Sequence, residues 1–279
     1  MSYLKRILLL FLLLAFQIAN AQKLYFSIGG GPSFGMAKEP YSNFYDIDVV
    51  NTSTELETAN LISFGKGFNS RFRLAYRLTE NLDIAIEASY LQGGKNSYSQ
   101  SRLVDNNNEF RLSERRVDVF GNMWSISPNL VFSPFNTRIS PYIRIGPSLN
   151  FGRTYEEVEY KYLTTTISTE EFTGPVSWGF LADLGVKYLA DENWEIFAEI
   201  RFHSFSFEPT ESQITQYEID GVDQLASLNT YKRKTVYKDK ISEEQGTFGF
   251  VGIERPFQEL SISQPFSSVQ FLIGISYNL

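Results

Sequence analysis

The sequence predicts an all-β fold: a transmembrane, antiparallel up-and-down β-barrel of eight strands with four long extracellular loops. Three observations support this prediction. Eight segments of roughly ten residues alternate apolar and polar side chains, as a strand with two unlike faces must. The connections between these segments alternate between short and long. The chain also begins with a hydrophobic export signal.

The composition excludes several classes of protein. The 279 residues include 43% hydrophobic side chains, too many for a disordered chain, and no cysteine. Without cysteine there are no disulfides, thiolate metal sites or cysteine nucleophiles. The single histidine, His203, excludes a multi-histidine metal centre, so we expect neither metal nor cofactor. The mean hydropathy of -0.19 favours a soluble protein, an inference that the strand pattern opposes.

The predicted signal peptide covers 1–21. Lys5 and Arg6 precede ten apolar residues, and Ala19-Asn20-Ala21 has the small-x-small pattern of a cleavage site. A membrane-spanning helix needs about 20 apolar residues, so we do not expect an uncleaved anchor. The predicted barrel domain, 22–279, carries 23 basic and 32 acidic residues, and this acidity argues against nucleic-acid binding.

Each of the eight predicted strands has one apolar face. The segments are 24–36, 68–78, 82–90, 124–132, 139–151, 176–188, 194–202 and 270–279. A barrel in lipid turns these apolar faces outward, whereas a soluble β-sandwich or lipocalin-like barrel turns them inward. Alternation alone does not distinguish the two orientations.

The connections favour the membrane. The short connections are 79–81, 134–138 and 189–193, and the long ones are 37–66, 94–121, 152–175 and 207–267. The long connections contain 30, 28, 24 and 61 residues. Loops beyond about 12–15 residues are uncommon in compact soluble domains. Membrane barrels combine short periplasmic turns with long extracellular loops.

This pattern resembles the eight-stranded outer-membrane β-barrels, of the OmpA or OmpX type, and the PorT-like porin-family barrels. The resemblance covers 23–279, and its most specific element is the final strand, similar to the terminal signal read by the barrel-assembly machinery. That signal comprises Phe271, Ile273, Ile275, Tyr277 and Leu279. Leu279 departs from the family's usual terminal Phe. The resemblance implies a Gram-negative outer-membrane protein that contacts lipid and lipopolysaccharide.

Aromatic residues cluster near both ends of the strands, as amphipathic rings do at the two membrane interfaces. Toward the periplasmic ends lie Tyr76, Tyr188, Trp194 and Tyr277, and toward the outer ends Tyr90, Trp124, Trp178 and Phe202.

The face opposite the aromatic residues carries the charges. The predicted lumenal polar network comprises Arg71, Arg73, Arg77, Asp83, Glu87, Arg144, Asp183, Lys187, Glu195, Glu199, Arg201 and His203. Eight strands enclose only enough room for side chains. Unpaired buried charges are costly, so we expect these residues to pair and to leave no continuous pore. The alternative is the solvated face of an ordinary sheet.

The sequence predicts no catalytic residue. Ser204 and Ser206 lie one and three positions from His203, so on a strand they point to the opposite face. Phe205 occupies the position of the serine in the His-x-Ser spacing of the lipid A deacylase family. We therefore expect a non-enzymatic protein in which His203 belongs to the polar network.

Several weaker motifs remain open. Gly29-Gly30-Gly31 lacks the Lys-Ser/Thr of a phosphate loop, and 105–109 is acidic without EF-hand spacing. The basic stretch 231–240 could contact lipopolysaccharide phosphates, although a solvated loop stem is favoured. Segments 247–254 and 258–263 could add a hairpin for ten strands, but the second is too short to cross a membrane.

Two functions remain open. In the first, the barrel displays loops that bind an extracellular or envelope protein or glycan, as an accessory to secretion or uptake. In the second, it is a narrow channel or small-solute transporter. A lipid-modifying enzyme is a minor third possibility.

Overall fold

The computed structural model describes residues 24–51, 54–106, 109–135, 137–241 and 254–279, so the predicted signal peptide lies outside the described residues. Eight antiparallel strands form a closed ring. They are β1 (Leu24–Gly35), β2 (Gly67–Arg77), β3 (Leu82–Gly93), β4 (Glu109–Phe132), β5 (Ile139–Lys161), β6 (Ser177–Leu189), β7 (Trp194–Phe207) and β8 (Ser268–Asn278). Each pairs with the next, and β8 pairs with both β7 and β1. The fold prediction is confirmed.

The apolar faces point outward. Phe72 is 50% exposed, whereas its neighbour Arg73 is 3% exposed, and Ile273 on β8 is 65% exposed. Water disfavours an apolar band that continues around a whole barrel, whereas lipid accommodates it. The soluble sandwich or lipocalin-like alternative is therefore wrong.

The short turns and both described chain ends lie at one end of the barrel. The Leu78 amide donates to the Leu82 carbonyl at 2.9 Å, and the Leu279 amide donates to the Leu24 carbonyl at 2.9 Å. By the predicted orientation this end is periplasmic. The long connections all leave from the opposite end.

The wall of the barrel continues above its outer end. Strands β4 and β5 are 24 and 23 residues long, about twice what a tilted membrane strand needs. Shorter strands flank them: Asn96–Asn106, Thr165–Thr173, Glu211–Ile219, Lys234–Lys238 and Phe257–Leu260. We call the described residues within 95–121, 153–175 and 208–262 the extracellular extension. Much of the long connections is therefore strand, because neighbouring segments pair beyond the membrane.

The remaining elements are short or separate. They are the hairpin Glu39–Asn51 and Thr54–Ile62, the strands Val222–Asp223 and Gln264–Pro265, the 3-10 turn Leu225–Ser227 and the helix Thr230–Arg233. Across the described ranges, no helix is long and apolar enough to cross a membrane.

Among the described residues, the ring itself has eight strands. Phe257–Leu260 pairs with Lys234–Lys238 in the extracellular extension and does not enter the ring. Most of the other candidate segment, 247–254, lies outside the described residues.

Candidate functional site

Seven charged side chains from five strands meet in the lumen and form what we call the ion cluster. Its members are Arg71, Arg73, Arg144, Arg201, Glu87, Asp183 and Glu199, none more than 3% exposed. Arg201 Nη2 lies 2.6 Å from Glu87 Oε1, and Arg201 Nε donates to Asp183 Oδ1 at 3.1 Å. Because β7 and β3 are on opposite sides of the ring, the contact between Arg201 and Glu87 spans the lumen.

Glu199 is the acid with most partners in this cluster. Arg73 Nη1 and Arg144 Nη2 each lie 3.3 Å from a Glu199 carboxylate oxygen. Arg71 also pairs with it, and the Tyr142 hydroxyl donates to it. The cluster contains four cations and three anions, so each carboxylate is shared among several guanidinium groups.

A glycine pair makes room for the ring that supports Arg71. The Arg71 guanidinium carbon lies 4.6 Å from the centre of the Phe197 ring, a cation–π contact. A Cβ atom at Gly29 or Gly274 would come within 2.8 or 2.4 Å of that ring. The glycine run in β1 therefore serves packing in the barrel, and no phosphate-loop geometry is present at these strand positions.

The other predicted lumenal charges lie nearer the periplasmic end. The Tyr25 hydroxyl donates to Asp83 Oδ2 at 2.7 Å, and Arg77 lies 3.8 Å from the same carboxylate. Lys187 lies 3.9 Å from Glu195. The structure brings all eleven predicted charges to the lumenal side, in the ion cluster and in these two ion pairs nearer the periplasmic end.

His203 lies above the ion cluster and contacts a serine that the sequence reasoning missed. Ser148 Oγ is 3.0 Å from His203 Nε2, and Asn150 Nδ2 donates to Ser148 Oγ at 3.1 Å. This is the distance of a nucleophile–base pair. However, His203 is 4% exposed and Ser148 0%. Among the described residues, no carboxylate hydrogen-bonds the imidazole.

An apolar layer closes the lumen at its outer end. We call it the aromatic cap, and its buried members are Ile62, Phe64, Leu91, Val117, Val119, Met123, Phe205, Phe207 and Phe266. The Phe266 ring stacks on Phe205 at 5.1 Å and on Phe64 at 5.4 Å. The sequence analysis did not predict this layer, although the inward residues of β7 change from charged to aromatic after His203.

Backbone hydrogen bonds fasten the cap. Phe64 and Phe266 belong to long connections rather than to the ring. The Phe64 amide donates to the Pro265 carbonyl at 3.0 Å, and the Phe266 amide donates to the Phe205 carbonyl at 3.1 Å. The Met36 amide donates to the Ser267 carbonyl at 2.8 Å. The first and last long connections are thus tied to each other and to the barrel.

The predicted interface aromatic residues pack across neighbouring strands. Tyr90 and Trp124 have ring centres 4.8 Å apart, as do Trp194 and Tyr277 at the other end. Trp178 is 74% exposed. The Arg138 guanidinium lies 5.2 Å from the Tyr188 ring. Tyr76 is partly buried on β2.

The final strand presents its apolar positions outward. Phe271, Ile273, Ile275 and Leu279 are 50%, 65%, 44% and 57% exposed, and Tyr277 packs on Trp194.

The inner face of the extracellular extension carries carboxyl groups. Glu156 stands directly opposite Glu170, and Glu259 stands beside Tyr237. Ser212 Oγ donates to Glu170, and the Ser212 and Tyr237 hydroxyls are 3.3 Å apart. Burial, together with the charges of Glu170 and Glu259, raises the pKa of Glu156 to about 7, and burial also raises the pKa of Glu170.

The comparison with known protein families agrees with this geometry. The family model described as "Outer membrane protein beta-barrel domain" matches residues 7–224. The chain belongs to this family of outer-membrane β-barrels. Membership assigns this outer-membrane barrel to the outer membrane of a Gram-negative bacterium, where lipid and lipopolysaccharide surround it.

Two solved structures are similar to this outer-membrane barrel. Neisserial surface protein A (NspA) is 12% identical, with 93% of this chain and 98% of that chain covered and a TM-score of 0.38. Ail, the attachment invasion locus protein of Yersinia pestis, is 9% identical, with 91% and 95% covered and a TM-score of 0.29. No curated protein matches the chain.

Proposed function

We propose that this outer-membrane barrel is a non-enzymatic display protein. Its sealed barrel anchors the extracellular extension, which binds a protein or glycan partner outside the cell or in the envelope, as an accessory to secretion or uptake. The observation that carries this proposal is the filling of the lumen at two levels, by the ion cluster and by the aromatic cap. A filled lumen leaves the extension as the surface available for recognition.

The proposal also covers how the protein is exported and inserted. The signal peptide, 1–21, directs export and is cleaved, and the final strand is recognised by the barrel-assembly machinery. Support for the second step comes from the outward apolar row that ends at Leu279. The lumenal network has a structural role, because its charges satisfy one another within the barrel.

Conductance tests the sealed lumen. We expect the purified full chain, reconstituted in planar bilayers, to show no channel activity above leak. Discrete openings of the folded wild-type protein would instead support the narrow channel or small-solute transporter. In that case Phe266→Ala, which removes a ring from the cap, should increase the frequency of the openings.

A truncation that preserves the cap tests the role of the extension. Ser206 and Phe207 pair with Pro265 and Gln264, so Glu208 and Ser263 end adjacent antiparallel segments. Replacing 209–262 by a short Gly-Asn turn removes much of the extension and keeps Phe266 in place. We expect this variant to insert and to remain heat-modifiable, but to lose the partners that cross-link to the full chain on intact cells.

The buried serine–histidine pair tests the non-enzymatic part of the proposal. If Ser148 and His203 only satisfy each other's hydrogen bonds, Ser148→Ala changes stability but leaves the lipid A profile of the cells unchanged. An altered lipid A profile in cells that carry wild-type protein, but not in cells that carry folded Ser148→Ala, would identify a lipid-modifying enzyme.

A further inference from the structure

The basic stretch 231–240 has positive charge that its surroundings do not neutralise. Lys234 pairs with Glu211 at 2.6 Å. In the part of the chain that the structure describes, Lys232, Lys238 and Lys240 form no ion pair. Asp239, the acid inside the stretch, accepts a hydrogen bond from Ser261 Oγ at 2.9 Å. The stretch is therefore a local positive surface on an extension that is acidic overall.

Strand alternation turns Lys238 outward, and Lys240, two residues beyond the strand, is exposed. Tyr237, between them, is buried on the inner face, with its ring 6.2 Å from the Phe172 ring. Neighbours along a strand point to opposite faces, so Lys238 points away from the inner face. Its partner in the adjacent strand is Leu260, which is 59% exposed. A lysine and a leucine thus stand side by side on the outside of the extension.

The lysines lie near the rim of the barrel, beside the segment that leaves β7. The Tyr237 amide donates to the Thr210 carbonyl at 2.9 Å, and the Ser261 amide donates to the Lys238 carbonyl at 2.9 Å. From Ile262, which is 37% exposed, the chain runs down to Phe266 of the aromatic cap. Lys238 and Leu260 are partners in adjacent strands, and the exposed residues Lys240 and Ile262 follow each of them two positions along the chain. We call these four residues the rim patch.

The height of the rim patch favours one anionic ligand. The outermost apolar residue of β7 on the lipid side is Phe202, and the strand ends five residues later at Phe207. At about 3.3 Å per residue and a tilt of about 40°, that end lies roughly 13 Å above Phe202. The headgroup layer adds only about 5–8 Å to each side of the hydrocarbon core. Phospholipid phosphates are therefore too low, whereas the phosphorylated saccharide of lipopolysaccharide reaches this level.

We propose that the rim patch binds the phosphorylated saccharide region of lipopolysaccharide in the surrounding outer leaflet. The ammonium groups of Lys238 and Lys240 form charge-assisted hydrogen bonds with phosphate oxygens. Leu260 and Ile262 contact the apolar faces of the sugar rings. This proposal requires only that the barrel lies in the outer membrane, and it is independent of the proposed display function.

Equilibrium binding of purified rough lipopolysaccharide to the full chain in detergent tests the proposal. The test variant is Lys238→Gln with Lys240→Gln, and the control is Lys161→Gln. Lys161 is also an extracellular lysine, but it pairs with Glu159 at 2.8 Å at the far end of β5. We expect about fivefold weaker binding per lysine, about 25-fold for the pair, and little change for the control. Heat-modifiability shows that each variant is folded.

Two further ligands distinguish the source of the phosphate. Dephosphorylated lipopolysaccharide should bind the wild-type chain as weakly as the double variant binds the intact ligand. Phosphatidylglycerol micelles should show no difference between wild type and double variant. Equal binding of intact lipopolysaccharide by wild type and folded double variant, or an equal loss in Lys161→Gln, would overturn the proposal. Phosphatidylglycerol affinity that depends on the two lysines would also overturn it.

Discussion

Individual charges in the lumen have unequal importance because the ion cluster contains four cations and three anions. Removal of an acid increases the charge imbalance, whereas removal of an arginine balances the cluster. Burial makes this difference large, since an uncompensated charge inside a barrel has neither water nor a counterion to stabilise it. The arrangement therefore predicts a ranking of substitutions rather than a uniform loss.

Glu199→Gln should destabilise the barrel by about 3–5 kcal/mol, because three arginines lose a shared carboxylate charge. Arg73→Gln should cost clearly less, since Arg73 contacts Glu199 and Ser27 and its loss leaves three cations and three anions. Urea unfolding in lipid vesicles measures both free energies. Equal losses, or a larger loss for Arg73→Gln, would contradict the role of charge balance.

Two elements at the outer end of the barrel depend on different interactions. The aromatic cap depends on close packing, and the extracellular extension depends on the protonation of its carboxyl groups. The aromatic cap seats Phe266 against Gly121, where a Cβ atom would lie 2.5 Å from the phenyl Cζ. The extracellular extension carries opposed carboxyl groups on neighbouring strands. Both elements lie at the outer end, so changes there should affect the extension more than the membrane-spanning wall.

Gly121→Ala should destabilise the cap by about 1–3 kcal/mol, because the added methyl group collides with the Phe266 ring. Phe266→Leu in the same chain should recover part of the loss. Gly94→Ala is the matched control, since its nearest contact would be an ordinary 3.5 Å. Hydrogen exchange of the backbone amides of the cap residues measures the effect. Similar exchange in both alanine variants would argue against close packing at Gly121.

The extension should become less stable as pH rises from about 4.5 to about 7. The pKa of Glu156 is raised from 4.5 to about 7, so the folded state binds the proton more tightly than the unfolded state. Stabilisation by the neutral carboxyl is fully present below the unfolded pKa and is lost as pH rises through the folded one. We expect a loss of about 1–3 kcal/mol over this range.

Glu156→Gln should remove most of this pH dependence. Glu157→Gln is the control, because Glu157 lies on the opposite face and pairs with Lys95. Limited proteolysis of the extension at pH 5 and pH 8 measures the difference. A pH dependence that persists in Glu156→Gln would assign it to other groups.

At the scale of the whole molecule, the barrel reverses the usual arrangement of a soluble protein, with charges inside and apolar residues outside. The loss of stability caused by a charged substitution on the outer surface therefore depends on the depth of that residue in the lipid. Ile273, near the middle of β8, and Phe34, near the outer end of β1, are both outward and more than half exposed. They sample two depths on the same lipid-facing surface.

Ile273→Arg should destabilise the barrel by about 2–4 kcal/mol and Phe34→Arg by about 0–1 kcal/mol, because a charge near the interface retains its hydration. Unfolding from lipid vesicles compares the two variants with wild type. If the two substitutions lower the free energy of unfolding equally, the two positions do not differ in depth as proposed.

The sequence by itself determined the strand pattern, the short and long connections and the set of charged positions on one face, because period-two alternation and turn composition are local properties. It did not determine which face was inside. Only the closed ring decided that, because within it Arg73 is 3% exposed and its neighbour Phe72 is 50% exposed, and closure requires β8 to pair with β1 across almost the whole chain. The Ser148–His203 contact, the cap around Phe266 and the pairing within the extension also depended on tertiary structure. Each joins segments far apart in sequence, and their geometry is set by the closed ring rather than by any local pattern.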